Sequence, residues 1–373
     1  MVREILGKNA CDLQLQNEIR LMKETEKPIV LFGAGCTSEF IVDQMHEMGI
    51  YPEYFCDNDN GKVGKRIAGL KVLSADCLQK IQDCYIYITT QLYYKEIKEQ
   101  LVCLGICENR ILQCDIIYQF PWEKQIIPYL EDNEDVLDRF YDGLQDAKSK
   151  LVFENRLKFL ITRKREYMIR IHDNVQYFDE TVFNSARIKN YIDIGAYTGD
   201  TIAQFCKLNN IYEHIWGFEP DRELYKTAKR NLRGCKGVTI VPCATSDFDG
   251  TTLVESGLGK MQTIDNQYSR DSSSGQTFEV LKLDTYFANR DINTCFVKMD
   301  IEGAELATLK GMRRFIERNT PILAICVYHK LEDIVEIPRL LDSLNLSGGG
   351  YKYYLRHYSD NQTETVLFAK IGE

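Results

Sequence analysis

Two short segments near the middle of the chain constrain its fold more than any other feature. Residues 191–200 read Tyr-Ile-Asp-Ile-Gly-Ala-Tyr-Thr-Gly-Asp, and residues 216–221 read Trp-Gly-Phe-Glu-Pro-Asp. The first segment combines an apolar run, typical of a buried parallel strand, with a glycine turn that opens a helix. The second predicts a neighbouring strand that ends in the acid Glu219. This order of strand, turn, helix, strand and acid is typical of a nucleoside-binding α/β site.

The spacing of the glycines distinguishes two classes of cofactor. A dinucleotide site needs G-x-G-x-x-G, so that backbone amides can approach a pyrophosphate. Here three residues, including the bulky Tyr197, separate Gly195 from Gly199. Asp193 would also repel a phosphate, whereas it suits the ammonium and sulfonium groups of S-adenosylmethionine. We therefore expect this cofactor to be bound by Asp193, Gly195, Tyr197 and Gly199. The Glu219 carboxylate is expected to bind the ribose hydroxyls.

The composition excludes several classes of protein. A chain of 373 residues with 44% hydrophobic residues is long enough for two folded domains. Its formal net charge of −9 argues against a nucleic-acid or anionic membrane surface, which would need clustered positive charge. No apolar run approaches the roughly 18 residues that span a bilayer. We expect a cytoplasmic protein without a membrane span.

The cysteines are expected to be reduced thiols. There are 13 of them, an odd number, in a large chain whose N-terminus lacks a signal-like apolar core. No Cys-x-x-Cys occurs, and the spacing of Cys103 and Cys107 indicates a helix face rather than a metal site. The cysteine pattern therefore assigns no metal ligand.

Patterning divides the chain into three parts. Residues 1–118 contain a second strand and glycine turn at 28–36, followed by an acid at Asp57, and form an N-terminal Rossmann-like α/β domain. Ser38 occupies the third glycine position of the dinucleotide fingerprint there, which argues against tight dinucleotide binding. Residues 119–184 have helical spacing and form a connector. This connector could dimerise or pack against its own domains.

Charged runs in the connector, acidic at 131–138 and basic at 163–165, are expected to be solvated helix faces. In residues 185–373 strands recur at 190–194, 214–218, 238–242, 294–300 and 321–328. Two last apolar runs, 351–355 and 364–369, predict an antiparallel hairpin that closes a parallel sheet.

A second group of candidate residues follows the predicted strand at 294–300. Asp300 would lie at the carboxyl edge of the sheet, where ligands bind in open α/β folds. It could orient a substrate hydroxyl, remove its proton or hold a divalent cation, and Glu302 and Glu305 are near enough in sequence to join it. The two glutamates are equally well explained as favourable charges at a helix N-terminus.

Further polar residues follow other strands. His329, just past the fifth strand, could act as a base or be a satisfied polar residue, and His357 is a weaker candidate of the same kind. Asp247, after the third strand, could accept a hydrogen bond from an adenine amino group or could simply be a turn acid.

Together, the segments 193–200, 217–220, 298–305 and 328–330 resemble the FkbM family of S-adenosylmethionine-dependent methyltransferases over about residues 175–370. The resemblance implies a class I methyltransferase sheet and O-methylation of sugars or polyketide hydroxyls. It also implies that Asp193, Gly195 and Glu219 bind the cofactor, while Asp300 and Glu302 face the transfer site.

The N-terminal domain more loosely resembles small nucleotide-binding-type domains of enzymes that modify bacterial surface glycans. We therefore expect a small-molecule or glycan acceptor, with a sugar hydroxyl favoured. The alternative is a nucleotide-binding or sensory protein whose methyltransferase-like domain is inactive. An oxidoreductase would need a hydride-transfer site, which the sequence does not show.

Overall fold

A computed structural model describes residues 1–9, 13–81, 83–90, 93–117, 125–255, 275–288, 290–347 and 349–372. The chain forms two compact units. Unit 1 comprises Met1–Glu134, Phe153–His172 and Ser359–Thr363, and unit 2 comprises Asp135–Val152, Asp173–Tyr358 and Glu364–Glu373. The predicted connector 119–184 contributes to both units. Its predicted start at 118/119 lies outside the described residues, and the domain boundaries stay predictions.

Unit 1 is built around a five-stranded sheet. Its elements are α1 (Val2–Asn9), α2 (Gln14–Glu24), β1 (Ile29–Phe32), α3 (Ser38–Glu47), β2 (Tyr54–Cys56), β3 (Arg66–Ile67), β4 (Leu70–Leu73), β5 (Tyr85–Ile88), α4 (Tyr94–Cys103), α5 (Ile126–Asp132) and α8 (Glu166–Ile169). The strand order is β3-β4-β2-β1-β5, and only β3 pairs antiparallel.

The central strand β1 explains why this sheet carries a hydrophobic core on each face. Its side chains alternate, so that Ile29 and Leu31 join one buried cluster with α2 and α3, whereas Val30 and Phe32 join another with α4. Because both faces are covered, the strand reads as a continuous apolar run rather than an alternating one.

The basic run of residues 163–165 differs from the sequence expectation. Arg163 and Arg165 are 2% and 5% exposed and lie 3.6 and 3.5 Å from the carboxylate of Asp115. Arg163 also donates to the Asp115 and Ile117 carbonyls. The prediction of a solvated helix face is therefore wrong here, because a buried acid distant in sequence recruits both guanidinium groups.

Unit 2 contains most of the remaining elements. They are α9 (Asp200–Leu208), α10 (Arg222–Asn231), α11 (Leu283–Tyr286), α12 (Glu305–Gly311), α13 (Arg313–Asn319), α14 (Asp333–Asp342), β6 (Asn190–Ile194), β7 (His214–Phe218), β8 (Val238–Val241), β9 (Ala244–Thr245), β10 (Gly250–Glu255), β11 (Gly275–Leu281), β12 (Cys295–Met299), β13 (Ile322–Cys326), β14 (Tyr351–His357) and β15 (Thr365–Ile371). Helices α6 (Glu134–Gly143) and α7 (Ala147–Thr162) contribute to both units.

The main sheet of unit 2 has the order β14-β15-β13-β12-β6-β7-β8. Strand β15 is antiparallel to both β13 and β14, and it forms the predicted antiparallel hairpin with β14. Strand β6 lies between β12 and β7 and is buried at every position. The predicted mixed α/β class is thus confirmed. The carboxyl ends of β6, β7 and β12 meet at one edge, which positions the candidate site.

A second, three-stranded sheet was not predicted. It has the order β10-β11-β9, with β10 antiparallel and β9 parallel to β11. None of the cysteines in the described residues forms a disulfide. No helix of the described part of the chain is both long and apolar enough to cross a membrane.

Candidate active site

A cavity of about 750 Å³ lies in unit 2. Its walls come from the turn after β6, from the residues that follow β7 and β12, and from segments further along the chain. Among the lining residues are Gly195, Tyr197, Glu219, Asp300 and Glu302. The predicted clusters at the ends of three neighbouring strands therefore share one space.

The glycine turn after β6 is tightly constrained. Gly195 and Gly199 have φ values of +84° and +79°. A Cβ at Gly195 would lie 2.0 Å from the carbonyl oxygen of Asp300, so no side chain fits between the two strand ends. Lys298 donates to the Gly195 carbonyl at 2.7 Å and ties the turn to strand β12.

Asp193 is fully buried beneath this turn and does not line the cavity. Its carboxylate lies 3.1 Å from the Lys298 ammonium, and it accepts hydrogen bonds from the hydroxyls of Tyr191 and Thr201. Burial opposes a charged lysine, but Asp193 and then Asp300 raise the pKa of Lys298. Asp193 thus supports the turn, and a direct contact with cofactor stays a prediction.

Glu219, directly after β7, lines the cavity and is 6% exposed. Its two oxygens accept from the backbone amides of Tyr197 and Asp221, each at 2.9 Å. Burial raises the pKa of Glu219 to about 7 despite these two hydrogen bonds. The carboxylate therefore links the glycine turn to the second strand end, where a ribose-binding acid is expected.

Asp300, directly after β12, accepts hydrogen bonds from the hydroxyls of Tyr177 at 2.9 Å and Tyr328 at 3.3 Å. Burial alone would raise the pKa of Asp300, but the charges of Lys298 and His329 hold it below its usual value. An anionic carboxylate thus faces the cavity at neutral pH.

His329 lies beside Asp300 and is 3% exposed. Its Nδ1 is 2.8 Å from Glu305, and its Nε2 is 3.5 Å from both Asp300 and Glu302. Burial would lower the pKa of His329, but the hydrogen bond and charge of Glu305 raise it to about 9. The imidazole is therefore protonated near pH 7, which argues against its acting as a base in this state.

Residues 193–353 match the methyltransferase FkbM domain family, and residues 25–112 match the family described as C2185-like, N-terminal. The crystal structure of methyltransferase FkbM from Methylobacillus flagellatus KT superimposes with a TM-score of 0.73 at 20% identity, covering 99% of this chain and 98% of that one. The chain carries an FkbM methyltransferase domain.

Two other solved structures resemble parts of the chain. An rRNA methylase from Streptococcus thermophilus covers 56% of this chain and 94% of its own, with 11% identity and a TM-score of 0.30. Precorrin-6y C5,15-methyltransferase from Geobacter metallireducens GS-15 covers 53% and 92%, with 11% identity and a TM-score of 0.30. No curated protein sequence matches the chain significantly.

Two predicted polar residues do not line this cavity. Asp247 is exposed and does not line it, and neighbouring residues Cys243, Ala244 and Thr245 do. His357 is fully buried, and its Nδ1 lies 2.8 Å from the hydroxyl of Thr365 across the β14–β15 pair. Its contact is that of a satisfied structural histidine.

Backbone strain is concentrated around this cavity. Tyr177, Tyr197, Glu302 and Glu364 are non-glycine residues with φ between +48° and +65°, and all four line the cavity. This region of φ costs about 1–2 kcal/mol for an ordinary side chain, so the surrounding structure must enforce it. Such clustering is typical of functional sites.

The sequence patterns did not single out three polar residues of this cavity that contact one another or Asp300. Tyr177 comes from the predicted connector, Tyr328 precedes His329, and Glu364 directly precedes β15. Burial raises the pKa of Glu364 to about 7, and its carboxylate accepts from Gln176 and from Tyr328 at 3.4 Å. The positive φ of Tyr177 and Glu364 leaves no local sequence signal, because neither residue is glycine or asparagine.

Proposed function

We propose that the protein is an S-adenosylmethionine-dependent O-methyltransferase that acts on a hydroxyl of a sugar or glycan precursor. The observation that carries this proposal is the single cavity in which Glu219, after β7, and Asp300, after β12, both present carboxylates. In this proposal Glu219 accepts hydrogen bonds from a ribose, and Asp300 accepts one from the acceptor hydroxyl.

The cavity fits the cofactor in size and chemistry. About 750 Å³ is within the range of small-molecule sites, and Phe218, Leu224 and Phe278 supply apolar surface for an adenine. Bound S-adenosylmethionine would supply an electrophilic methyl group. Tyr197, which is 58% exposed in the glycine turn, would cover one side of it.

Alkyl hydroxyls are poor nucleophiles near pH 7, so the protein must align the acceptor and take its proton. Asp300 would orient the hydroxyl, and the positive charge of Lys298 would keep Asp300 ionised. Glu302 would bind the acceptor at the mouth of the cavity. Glu364, whose pKa is about 7, has the basicity that suits proton removal.

Several carboxylates and tyrosine hydroxyls in one cavity suit an acceptor with many hydroxyls, which is why we favour a sugar over a polyketide. The free cysteines are in keeping with a reducing compartment, and we place the reaction in the cytoplasm.

The first experiment measures the thermal midpoint of the purified protein with S-adenosylmethionine, S-adenosylhomocysteine, NADH or a UDP-sugar added separately. Ligands that bind the native state raise the midpoint. We expect a shift with the two adenosyl compounds. A shift with NADH or UDP-sugar alone would contradict the proposal and favour a nucleotide-binding role for unit 1.

A glycan acceptor screen by mass spectrometry then seeks a product one methyl heavier. With an acceptor in hand, Asp300→Asn should lower turnover by about 1,000-fold while S-adenosylhomocysteine still binds. Asp291→Asn is the matched control, since its exposed carboxylate precedes β12 as Asp300 follows it. Wild-type turnover in Asp300→Asn would rule out the assigned role.

A further inference from the structure

Three carboxylates surround the His329 imidazole in unit 2. Glu305 lies 2.8 Å from Nδ1, whereas Asp300 and Glu302 each lie 3.5 Å from Nε2. An imidazole carries at most one positive charge. The group therefore has an excess of negative charge even when the ring is protonated.

The two contacts of Nε2, to Asp300 and to Glu302, are as long as the distance between two ligands of one cation, while Glu305 lies on the Nδ1 side of the ring. At 3.5 Å, the two contacts of Nε2 are too long for strong hydrogen bonds. With bonds of about 2.1 Å, two ligands of a tetrahedral metal lie roughly 3.4 Å apart. One donor atom each from Asp300, Glu305 and His329 lie within 4.8 Å of one another.

A second observation points to a bound cation. Glu305 is fully buried, and its Oε1 accepts from both the Ile301 amide and the His329 ring. Its other oxygen, Oε2, is buried without a hydrogen-bond partner among the residues that the structure describes. Asp333 is also fully buried, and its Oδ1 likewise has no hydrogen-bond partner in the described part of the chain. Buried carboxylate oxygens need a donor or a cation.

We propose that Asp300, Glu305 and His329 form a binding site for one divalent cation, with Glu302 beside it at the mouth of the cavity. One imidazole and several carboxylates suit Mn²⁺, Fe²⁺ or Zn²⁺, whereas Mg²⁺ prefers oxygen ligands alone. The cation takes the place of the imidazole proton, because histidine binds metals in its neutral form.

Asp300 and Glu302 also line the cavity, so a cation held by Asp300 borders the space in which the acceptor would bind. There it would polarise the acceptor hydroxyl and favour a second oxygen next to it, as in a vicinal diol. This consequence rests on the proposed function, whereas the cation site itself does not.

The test is a titration of the full-length, chelator-treated protein with Mn²⁺, followed by the electron paramagnetic resonance signal of free Mn²⁺ and without any methyl donor. Mn²⁺ is preferred over Zn²⁺ because the free cysteines would bind zinc. We expect one saturable site in the wild-type protein. Asp300→Asn and Glu305→Gln should each weaken it by about 10-fold or more.

Glu336→Gln serves as the control. This exposed carboxylate on α14 pairs with Arg339, and its loss should leave Mn²⁺ affinity unchanged. Absence of saturable binding, or wild-type affinity in both cluster variants, would overturn the proposal. Circular dichroism checks folding, and if Glu305→Gln does not fold, Asp300→Asn decides, since its side chain is partly exposed.

The two proposals fail separately. Because the Mn²⁺ titration contains no methyl donor, a negative result leaves the methyl-transfer proposal standing. A protein that binds Mn²⁺ but not S-adenosylhomocysteine would retain the cation site and lose the proposed function.

Discussion

Units 1 and 2 each have an acid, directly after a strand, that accepts a hydrogen bond from a glycine turn. The residues around the two acids differ. In unit 1 the carboxylate of Asp57, after β2, accepts from the Ala34 amide in the glycine turn at 2.8 Å. In unit 2 the carboxylate of Glu219, after β7, accepts from the Tyr197 amide at 2.9 Å. Both acids thus hold their glycine turns by the same hydrogen bond.

The neighbours of the two acids differ. Lys62 pairs with Asp57 at 3.0 Å, and backbone amides and this lysine lower the pKa of Asp57 although burial opposes them. Glu219 is more deeply buried, and its pKa rises to about 7. Asp57 is thus an ionised acid paired with a lysine, whereas Glu219 lies at a cavity wall, where it can exchange its partners for a ligand.

The adjacent strand ends differ as well. After β5, Thr89 donates its hydroxyl to the carbonyls of Phe32 and Gly33 and closes the edge with a neutral group. At the corresponding place after β12, unit 2 has the anionic Asp300 with Lys298 behind it. The strand and turn pattern thus builds the edge of the sheet, while the residues that follow the neighbouring strand decide the chemistry of that edge.

We expect the largest difference in cofactor affinity when Glu219 and Asp57 are each replaced by alanine. Glu219→Ala should weaken S-adenosylhomocysteine binding by about 100-fold, because hydrogen bonds from a ligand to a buried carboxylate are lost. Asp57→Ala should leave that affinity unchanged. Calorimetric titration of both variants decides, and unchanged affinity in Glu219→Ala would show that the ribose lies elsewhere.

The next largest expected difference is in the loss of stability when the glycines of the two turns, Gly195 and Gly33, are replaced by alanine. Gly195→Ala forces a Cβ to 2.0 Å from a backbone carbonyl, and we expect a loss of about 3 kcal/mol. In Gly33→Ala the nearest atom, at 2.7 Å, is the Thr89 hydroxyl, which can move, so about 1–2 kcal/mol is expected. Scanning calorimetry measures both, and an equal loss would contradict the difference.

A smaller expected effect is that Glu219 and Asp57 give the stability of the protein opposite dependences on pH. Because the pKa of Glu219 is raised to about 7, its stabilising neutral form is lost as pH rises from about 4.5 through 7. The stability of Glu219→Gln relative to wild type should therefore rise between pH 5 and pH 8.

The pKa of Asp57 is lowered, so its ionised form stabilises unit 1 above its unfolded-state pKa of about 3.9, and this contribution disappears as pH falls below that value. Asp57→Asn should accordingly destabilise the protein at pH 7. Thermal midpoints of Glu219→Gln and Asp57→Asn, measured against wild type across pH, test both predictions. The same pH trend in the two variants would refute them.

The smallest effect is expected at Asp247. It is exposed and outside the cavity lining, so Asp247→Asn should change S-adenosylhomocysteine affinity by less than about threefold and stability by less than about 0.5 kcal/mol. A larger loss of affinity in the same titration would return this residue to the adenine end of the site.

Much of the fold was predictable because its signals are local. The predicted bounds of β6 and β7 agree with the structure, since buried parallel strands are short apolar runs followed by turn residues. The β14–β15 hairpin was predictable for the same reason. Arg163 and Arg165 were mispredicted because Asp115, their partner, lies about 50 residues earlier.

Local sequence patterns specify the two α/β units, their glycine turns and the acids at the strand ends, because strand and helix periodicities and glycine spacing act over a few residues. Which acids face the cavity, and which charge each group carries, depends on the tertiary fold. This fold buries Asp193 against Lys298, brings Tyr177 and Glu364 to Asp300, and surrounds His329 with carboxylates. Burial and the charge of distant neighbours set these states, and neither is a local property of the chain.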